Sequence, residues 1–122
     1  MTLIIGGAGQ GKLAYALDRL GAGPEDVARD PESARGRPVF DGLETWLRAH
    51  PADGLDALLE ANPGVVILCD EVGCGVVPMD PAERAWRETV GRTCCRLAQR
   101  AERVVRVFCG ISMTLKGADT WN

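Results

Sequence analysis

The chain has 122 residues, of which 46% are hydrophobic and 25% charged, and its formal net charge is −3. This size fits one compact domain with a modest core and excludes a second domain. The acidic balance argues against a surface built for nucleic acid, and no apolar run approaches the roughly 18 residues of a membrane span. We therefore expect a single cytoplasmic domain, over residues 1–122, with no nucleic-acid partner.

The chain begins with a predicted strand, a glycine-rich loop and a predicted helix. An apolar run indicates a strand over Thr2–Ile5, and a helix is expected over Lys12–Leu20. Between them stands the G-x-x-x-x-G-K pattern of a phosphate-binding loop, formed by Gly6, Gly7, Ala8, Gly9, Gln10, Gly11 and Lys12. Glycines let successive backbone N–H groups turn toward an anion, while the lysine and the helix N-terminus add positive charge. The pattern predicts binding of a nucleoside triphosphate.

The residue after the lysine departs from the full motif. A Ser or Thr at that position normally binds Mg²⁺ through its hydroxyl, but here it is Leu13. The sequence therefore indicates phosphate binding more clearly than catalysis. A tight glycine-rich turn without a ligand is the alternative interpretation.

Residues 21–38 are predicted to form a mobile loop. They contain three prolines, three glycines and seven charged side chains, with almost no large apolar residue. We expect this segment to contribute nothing to the core.

Strands and helices are predicted to alternate along the rest of the chain. Val39–Phe40 is a short strand, and Asp41 is expected to cap a helix that ends at His50–Pro51. Asp53 is expected to cap a second helix, through Glu60. Continuous apolar runs predict two buried strands, at residues 65–69 and 104–109. The alternation indicates an α/β fold of three layers with a small, mainly parallel sheet.

Two carboxylates follow the strand at residues 65–69. Because ligands bind at the carboxyl ends of parallel strands, Asp70 and Glu71 should lie near the glycine-rich loop. A Mg²⁺ ion between nucleotide phosphates needs one or two such carboxylates, so both residues are candidate metal ligands. The alternative is that they are ordinary polar loop residues.

The longest predicted helix runs from about Pro81 to Glu102. Its apolar stripe contains Trp86, Val90, Cys94, Leu97 and Ala101, and the opposite face carries Arg84, Arg92, Arg96, Arg100 and Arg103. Most of these arginines are expected to be a solvated face. Arg87 differs because it borders the apolar stripe near the helix N-terminus, where a guanidinium can reach a phosphate.

The five cysteines do not form paired C-x-x-C zinc ligands. Small buried thiols account for most of them, since Cys69 and Cys109 end apolar runs and Cys94 lies on the apolar helix face. The remaining two are Cys74 and Cys95. No metal or redox site is predicted from their spacing.

Several strings in the second half resemble one enzyme family. They are Asp70-Glu71-Val72-Gly73-Cys74-Gly75-Val76-Val77-Pro78, Trp86-Arg87-Glu88, Gly91-Arg92, Leu97-Ala98, Gly110-Ile111 and Lys116. With the glycine-rich start, the chain resembles the adenosylcobinamide kinase/adenosylcobinamide-phosphate guanylyltransferase family of cobalamin biosynthesis. The E-V-G-x-G-[IV]-V-P string is much more specific than a phosphate loop.

The resemblance implies a P-loop enzyme of RecA-like topology that forms homo-oligomers. Such an enzyme phosphorylates adenosylcobinamide with ATP or GTP and Mg²⁺, then transfers GMP to that phosphate through a guanylylated histidine. It also implies that residues 6–13 hold the triphosphate, and that Glu71, Gly73 and Gly75 belong to the nucleotide and corrinoid site. Arg87 and Arg92 match family arginines, and we expect them to contact phosphate or a neighbouring subunit.

The part of the family that carries the guanylylated histidine is expected to be missing. His50 is the only histidine and lies outside any matching motif, so it is interpreted as a surface or capping residue. We therefore expect kinase activity rather than guanylyl transfer, with Lys12 neutralising phosphate charge and Asp70 or Glu71 holding Mg²⁺ or orienting the hydroxyl. The alternative is a non-catalytic nucleotide- or corrinoid-binding module that works with a partner enzyme.

Overall fold

The computed structural model describes residues 1–73 and 75–121, without the side chain of Asp53. Cys74 and Asn122 therefore lie outside it. Its six strands are β1 (Thr2–Gly6), β2 (Val27–Ala28), β3 (Val39–Asp41), β4 (Val66–Asp70), β5 (Arg103–Phe108) and β6 (Ile111–Lys116). Its α-helices are α1 (Lys12–Leu20), α2 (Pro31–Ala34), α3 (Leu43–Trp46), α4 (Leu55–Ala61) and α5 (Pro81–Arg100). Short 3₁₀ turns precede β2 and α4, at Pro24–Asp26 and Ala52–Gly54.

All six strands form one sheet in the order β2-β3-β4-β1-β5-β6. The first five strands of that order are parallel, and only β6 runs antiparallel, beside β5. The strand of the glycine-rich loop therefore lies between the strand that ends in Asp70 and β5. The register pairs Gly6 with Asp70, so the loop and the two carboxylates leave the sheet at the same edge.

Two apolar clusters cover the two faces of the sheet, because residues in the central strands alternate between them. One cluster joins Ile4, Leu68 and Val105 to α1. The other joins Leu3 and Ile67 of the same strands to α3, α4 and α5. This helix, sheet and helix arrangement confirms the predicted three-layer α/β fold.

The segment 21–38 is not the featureless loop that its composition predicted. It contains β2 and α2, and the side chains of Ala28 and Ala34 are buried in the core beside α3 and α4. Asp30 caps α2 by accepting a hydrogen bond from the Ser33 N–H at 2.9 Å. That hydrogen bond lowers the pKa of Asp30. The prediction was wrong because small side chains, rather than large apolar ones, fill this part of the core.

Several predicted boundaries also differ. Asp41 ends β3 and pairs with Arg29 instead of capping a helix, since the N-cap of α3 is Gly42. The N-cap of α4 is likewise a glycine, Gly54, rather than Asp53. Helix α5 ends at Arg100, so Arg103 lies in β5 and not on the helix. No helix in the described part of the chain is both long enough and apolar enough to cross a membrane.

Candidate functional site

The glycine-rich loop connects β1 directly to α1, which is the context that a phosphate-binding loop requires. Gly9 and Gly11 adopt positive φ angles of 70° and 94°, where a side chain would be strained. Gly11 is the N-cap of α1 and forms no side-chain capping bond. The first turn of α1 therefore presents its N–H groups to the space enclosed by the loop.

Gly6 is needed because the backbone of β5 passes very close to it. A Cβ built on Gly6 would lie 2.4 Å from the carbonyl oxygen of Val107, well inside van der Waals contact. Since the neighbouring atom belongs to backbone, neither side can move cheaply. The first glycine of the loop is thus explained by packing between adjacent strands.

Lys12 is the centre of the site. Its side chain is only 7% exposed, and its ammonium lies 2.6 Å from Oδ1 of Asp70. The same nitrogen donates hydrogen bonds to the carbonyl oxygens of Gly6, at 3.1 Å, and Gly7, at 2.8 Å. The lysine that was expected to bind phosphate is therefore neutralised by a carboxylate of the neighbouring strand.

Glu71 lies beside the same loop but pairs with a different cation. Its backbone N–H donates to the carbonyl of Gly6 at 2.9 Å. Its two carboxylate oxygens accept hydrogen bonds from Nε and Nη2 of Arg106, at 2.8 and 3.0 Å. The sequence analysis did not single out Arg106, although a charge inside the apolar run of β5 was a visible signal.

The turn between β5 and β6 is fastened to the loop through Gln10. Its side-chain oxygen accepts a hydrogen bond from the N–H of Cys109, and its backbone oxygen accepts one from the N–H of Gly110, both at 2.8 Å. Cys109 sits in this turn with a φ of 53° and is exposed. The expectation that Cys109 is a buried strand residue was therefore wrong, because the chain reverses there.

Glu44 is a second residue that the sequence analysis missed. Its Oε1 accepts a hydrogen bond from the backbone N–H of Asp70 at 2.8 Å, and its backbone oxygen accepts one from Nε1 of Trp86 at 2.8 Å. Arg48 stacks over the Trp86 ring, 3.5 Å from its centroid. Helices α3 and α5 are thereby joined to the end of β4, which fixes where Asp70 leaves the sheet.

The other predicted site residues are divided between two places. Gly73 and Arg87 line one shallow pocket of about 340 Å³, and Nη1 of Arg87 donates to the carbonyl of Val76 at 2.6 Å. Gly75 is exposed, with a φ of 99°. Arg92 lies elsewhere, on the exposed face of α5, with Glu88 at 3.8 Å. The structure thus brings Lys12, Asp70 and Glu71 together, but not Arg92.

His50 is packed as a surface residue. Its ring stacks on Trp46 with centroids 4.8 Å apart, and Nδ1 lies 3.0 Å from the carbonyl oxygen of Trp46.

Among the cysteines, Cys69 is buried and Cys94 half-buried, whereas Cys95 is exposed. A hydrogen bond with Cys94, together with burial, raises the pKa of the Cys69 thiol.

Asp70 and Glu71 are the two candidate Mg²⁺ ligands, and each of them faces a cation, Lys12 or Arg106. Within residues 1–73 and 75–121 no group of three or more His, Cys, Asp or Glu side chains is placed to hold a metal ion. Magnesium at nucleotide sites is nevertheless held by one or two carboxylates plus phosphate oxygens, so either carboxylate alone would fit such a site. The side chain of Leu13 packs with the apolar cluster under α1 and supplies no oxygen.

Residues 32–115 match the family model described as cobinamide kinase / cobinamide phosphate guanyltransferase. The chain belongs to this family. This finding confirms the resemblance inferred from the sequence and places the chain among transferases that act on cobinamide in cobalamin biosynthesis. The match runs through residues 39–69, where we had recognised no family string, and it begins after the glycine-rich loop. No curated protein matches the chain.

Proposed function

We propose that this protein uses a nucleoside triphosphate, ATP or GTP, to phosphorylate adenosylcobinamide. The observation that carries the proposal is the 2.6 Å contact between Lys12 and Asp70. It joins the glycine-rich loop, which lies outside the family match, to a carboxylate inside it. A strand, a loop, a buried lysine and a carboxylate on the adjacent strand are the parts that a phosphoryl-transfer site needs.

In this proposal each residue has a distinct task. Backbone N–H groups of residues 6–13 surround the phosphates, and Lys12 leaves Asp70 to neutralise the charge of the transferred group. Asp70 or Glu71 would hold Mg²⁺, and the metal would supply positive charge to the phosphates. Gly73, Gly75 and Arg87 form the rim on which the corrinoid substrate lies. Arg92 does not line the pocket of Gly73 and Arg87, and on the exposed face of α5 it would contact a neighbouring subunit.

The state of His50 favours phosphoryl transfer over guanylyl transfer. A histidine that accepts GMP must lie at the nucleotide, whereas the contacts of His50 are with Trp46: its Nδ1 lies against the Trp46 carbonyl and its ring is stacked on the indole. His50 is also the only histidine in the chain. We therefore assign the kinase step, and not the guanylyl step, to this protein.

A labelling experiment tests both assignments. With GTP labelled at the γ-phosphate, the label should move to adenosylcobinamide, and the Lys12→Met variant should lose this transfer. With GTP labelled at the α-phosphate, no label should remain on the denatured protein. A covalent α-label that disappears in His50→Ala would overturn the assignment to the kinase step.

Two observations favour a second candidate, a nucleotide- or corrinoid-binding module without catalysis. Leu13 provides no hydroxyl for Mg²⁺, and both carboxylates are engaged by cations. This candidate predicts calorimetric binding of nucleotide that is equal with and without Mg²⁺, and no labelled corrinoid. Binding that strengthens with Mg²⁺ would count against it.

Self-association is supported by the apolar edge of the sheet. Phe108, Ile111, Met113 and Leu115 on β5 and β6 are between 53% and 72% exposed. An edge strand with exposed apolar side chains invites pairing with another chain. We expect a homo-oligomer in sedimentation equilibrium that dissociates in Met113→Glu, and a monomeric native protein would refute this.

A further inference from the structure

Arg106 lies on the strand next to the loop, at the edge where ligands bind in parallel sheets. The register pairs it with Ile5, the residue immediately before Gly6. By the two-residue period of β5 its side chain shares a face with Val104, which belongs to the cluster under α5. Lys12 belongs to α1, which covers the other face. The two cations therefore flank the end of β1 from opposite faces.

The pairing of Arg106 with Glu71 has the geometry of anion recognition. Two N–H groups of the guanidinium donate in parallel to the two carboxylate oxygens, at 2.8 and 3.0 Å. A phosphoryl group accepts the same bidentate pair of hydrogen bonds. The side chains are 44% and 20% exposed, so a dissolved anion can reach the guanidinium.

An anion can compete with Glu71 for that guanidinium. Arg106 is 44% exposed, so water screens part of the attraction between the two charges. A phosphoryl group carries more negative charge than one carboxylate and presents more acceptor oxygens. A phosphoryl group arriving at this edge of the sheet can therefore replace Glu71 on Arg106.

We propose that Arg106 is a second anion-binding residue, which takes a phosphoryl group and is occupied by Glu71 until that group arrives. This inference rests on the proposed function only in treating the glycine-rich loop as the first phosphate site. It gives β5 a ligand-binding role that the sequence analysis did not assign to any residue of that strand. Glu71 then regulates access of the anion, in addition to any contact it makes with a metal.

The double variant separates this proposal from a purely structural ion pair. If the pair only stabilises the fold, each charge still acts on the anion at a distance, so removing Glu71 strengthens anion binding equally with and without Arg106. If Glu71 competes with the anion, removing its charge strengthens binding, whereas removing Arg106 weakens it. The double variant should then behave like the Arg106 variant alone.

The experiment is a calorimetric titration with inorganic pyrophosphate in the absence of Mg²⁺. We expect Glu71→Gln to bind about two- to fivefold more tightly than the unmodified protein, the effect that one exposed ion pair produces. Arg106→Met should bind about tenfold more weakly. The affinity of Arg106→Lys should lie between those of the unmodified protein and Arg106→Met, because lysine keeps the charge but loses the bidentate fork.

Thermal melts of each variant verify that it is folded under the titration conditions. Lys12→Met reports separately on the loop: if it binds pyrophosphate as the unmodified protein does, the loop is not a phosphate site and the proposed function fails. The Arg106 proposal fails instead if Glu71→Gln does not tighten binding, or if Arg106→Met leaves binding unchanged.

Discussion

Replacing Asp70 with Asn tests the central ion pair of the site. The Coulomb attraction across 2.6 Å is about 6 kcal/mol at an effective dielectric constant of about 20. Most of this is offset by desolvation, since Lys12 is nearly buried and Asp70 is 31% exposed. The amide oxygen of Asn still accepts a hydrogen bond from Lys12. We expect a net loss of about 1–2 kcal/mol in the free energy of unfolding.

This loss converts into a measurable shift of the melting temperature. An unfolding entropy of about 2.1 cal/mol/K per residue over 122 residues gives about 4 °C per kcal/mol. Asp70→Asn should therefore melt about 4–8 °C below the unmodified protein. Asp41→Asn is the matched control, because Asp41 also ends a strand and pairs with an arginine that is 68% exposed. Its melting temperature should fall by less than about 4 °C.

The same substitution should raise the affinity for nucleotide more in the absence of Mg²⁺ than in its presence. Without the metal, Lys12 of this variant does not have to break an ion pair with a carboxylate before it binds phosphate. The affinity for GTP or ATP should therefore rise about five- to thirtyfold. With the metal, that advantage should shrink, because a proposed Mg²⁺ ligand is gone. If Asp70→Asn weakens binding equally in both conditions, Asp70 shapes the loop and does not compete with phosphate, and our reasoning is wrong.

Three other perturbations follow from the packing and the charges. Gly6→Ala should lose about 1–3 kcal/mol in chemical denaturation because its Cβ meets the Val107 carbonyl, whereas Gly64→Ala, with open space around it, should change little. The hydrogen bond with Arg48 lowers the pKa of Glu83 below its usual 4.5. Glu83→Gln should therefore lower the melting temperature at pH 7 but not well below pH 4.5, where both proteins are uncharged at this position. An equal loss at both pH values would contradict this. A thiol reagent should modify Cys95 and Cys109 in the native protein and Cys69 only after unfolding, since Cys69 is buried and its pKa is raised. Mass spectrometry measures the labelling rates, and labelling of Cys69 in the native protein as fast as that of Cys95 would refute this prediction.

Local sequence patterns predicted the elements that bury large apolar side chains. Helix α1 was predicted with the bounds it has, and the two apolar runs correspond to β4 and β5 within one residue at each end. Helix α2 was missed because its buried residues are Pro31 and Ala34, which carry no periodic apolar signal. Pattern reasoning detects large side chains better than a small helix held by a cap.

Strand β6 was missed for a different reason. Residues 111–116 alternate as a strand should, but the apolar side chains of Ile111, Met113 and Leu115 are the exposed ones. An argument that starts from burial gives no reason to expect such a strand. Pairing with β5 places it, and that pairing depends on the reversal at Cys109 and Gly110, which Gln10 stabilises from the far end of the chain.

The sequence predicted the position of those candidate site residues that lie at the ends of strands. Lys12, Asp70 and Glu71 were expected at one edge of a parallel sheet, and the contact between Lys12 and Asp70 shows that this reasoning was sound for position. The partners of these charges were not predictable in the same way. That Arg106 meets Glu71 depends on the register of β5 against β1, which no local pattern specifies.

The relation between the loop and the family segment is the strongest argument that the loop belongs to the same site. The matched residues begin at position 32, so the family comparison by itself does not include the loop. Three independent contacts tie the two parts together: Lys12 to Asp70, the N–H of Glu71 to Gly6, and Gln10 to the turn after β5. Leu13 packs against the apolar cluster under α1 and offers no oxygen to a metal. In the proposed site the loop would supply backbone N–H groups and Lys12, whereas the family segment would supply the carboxylates.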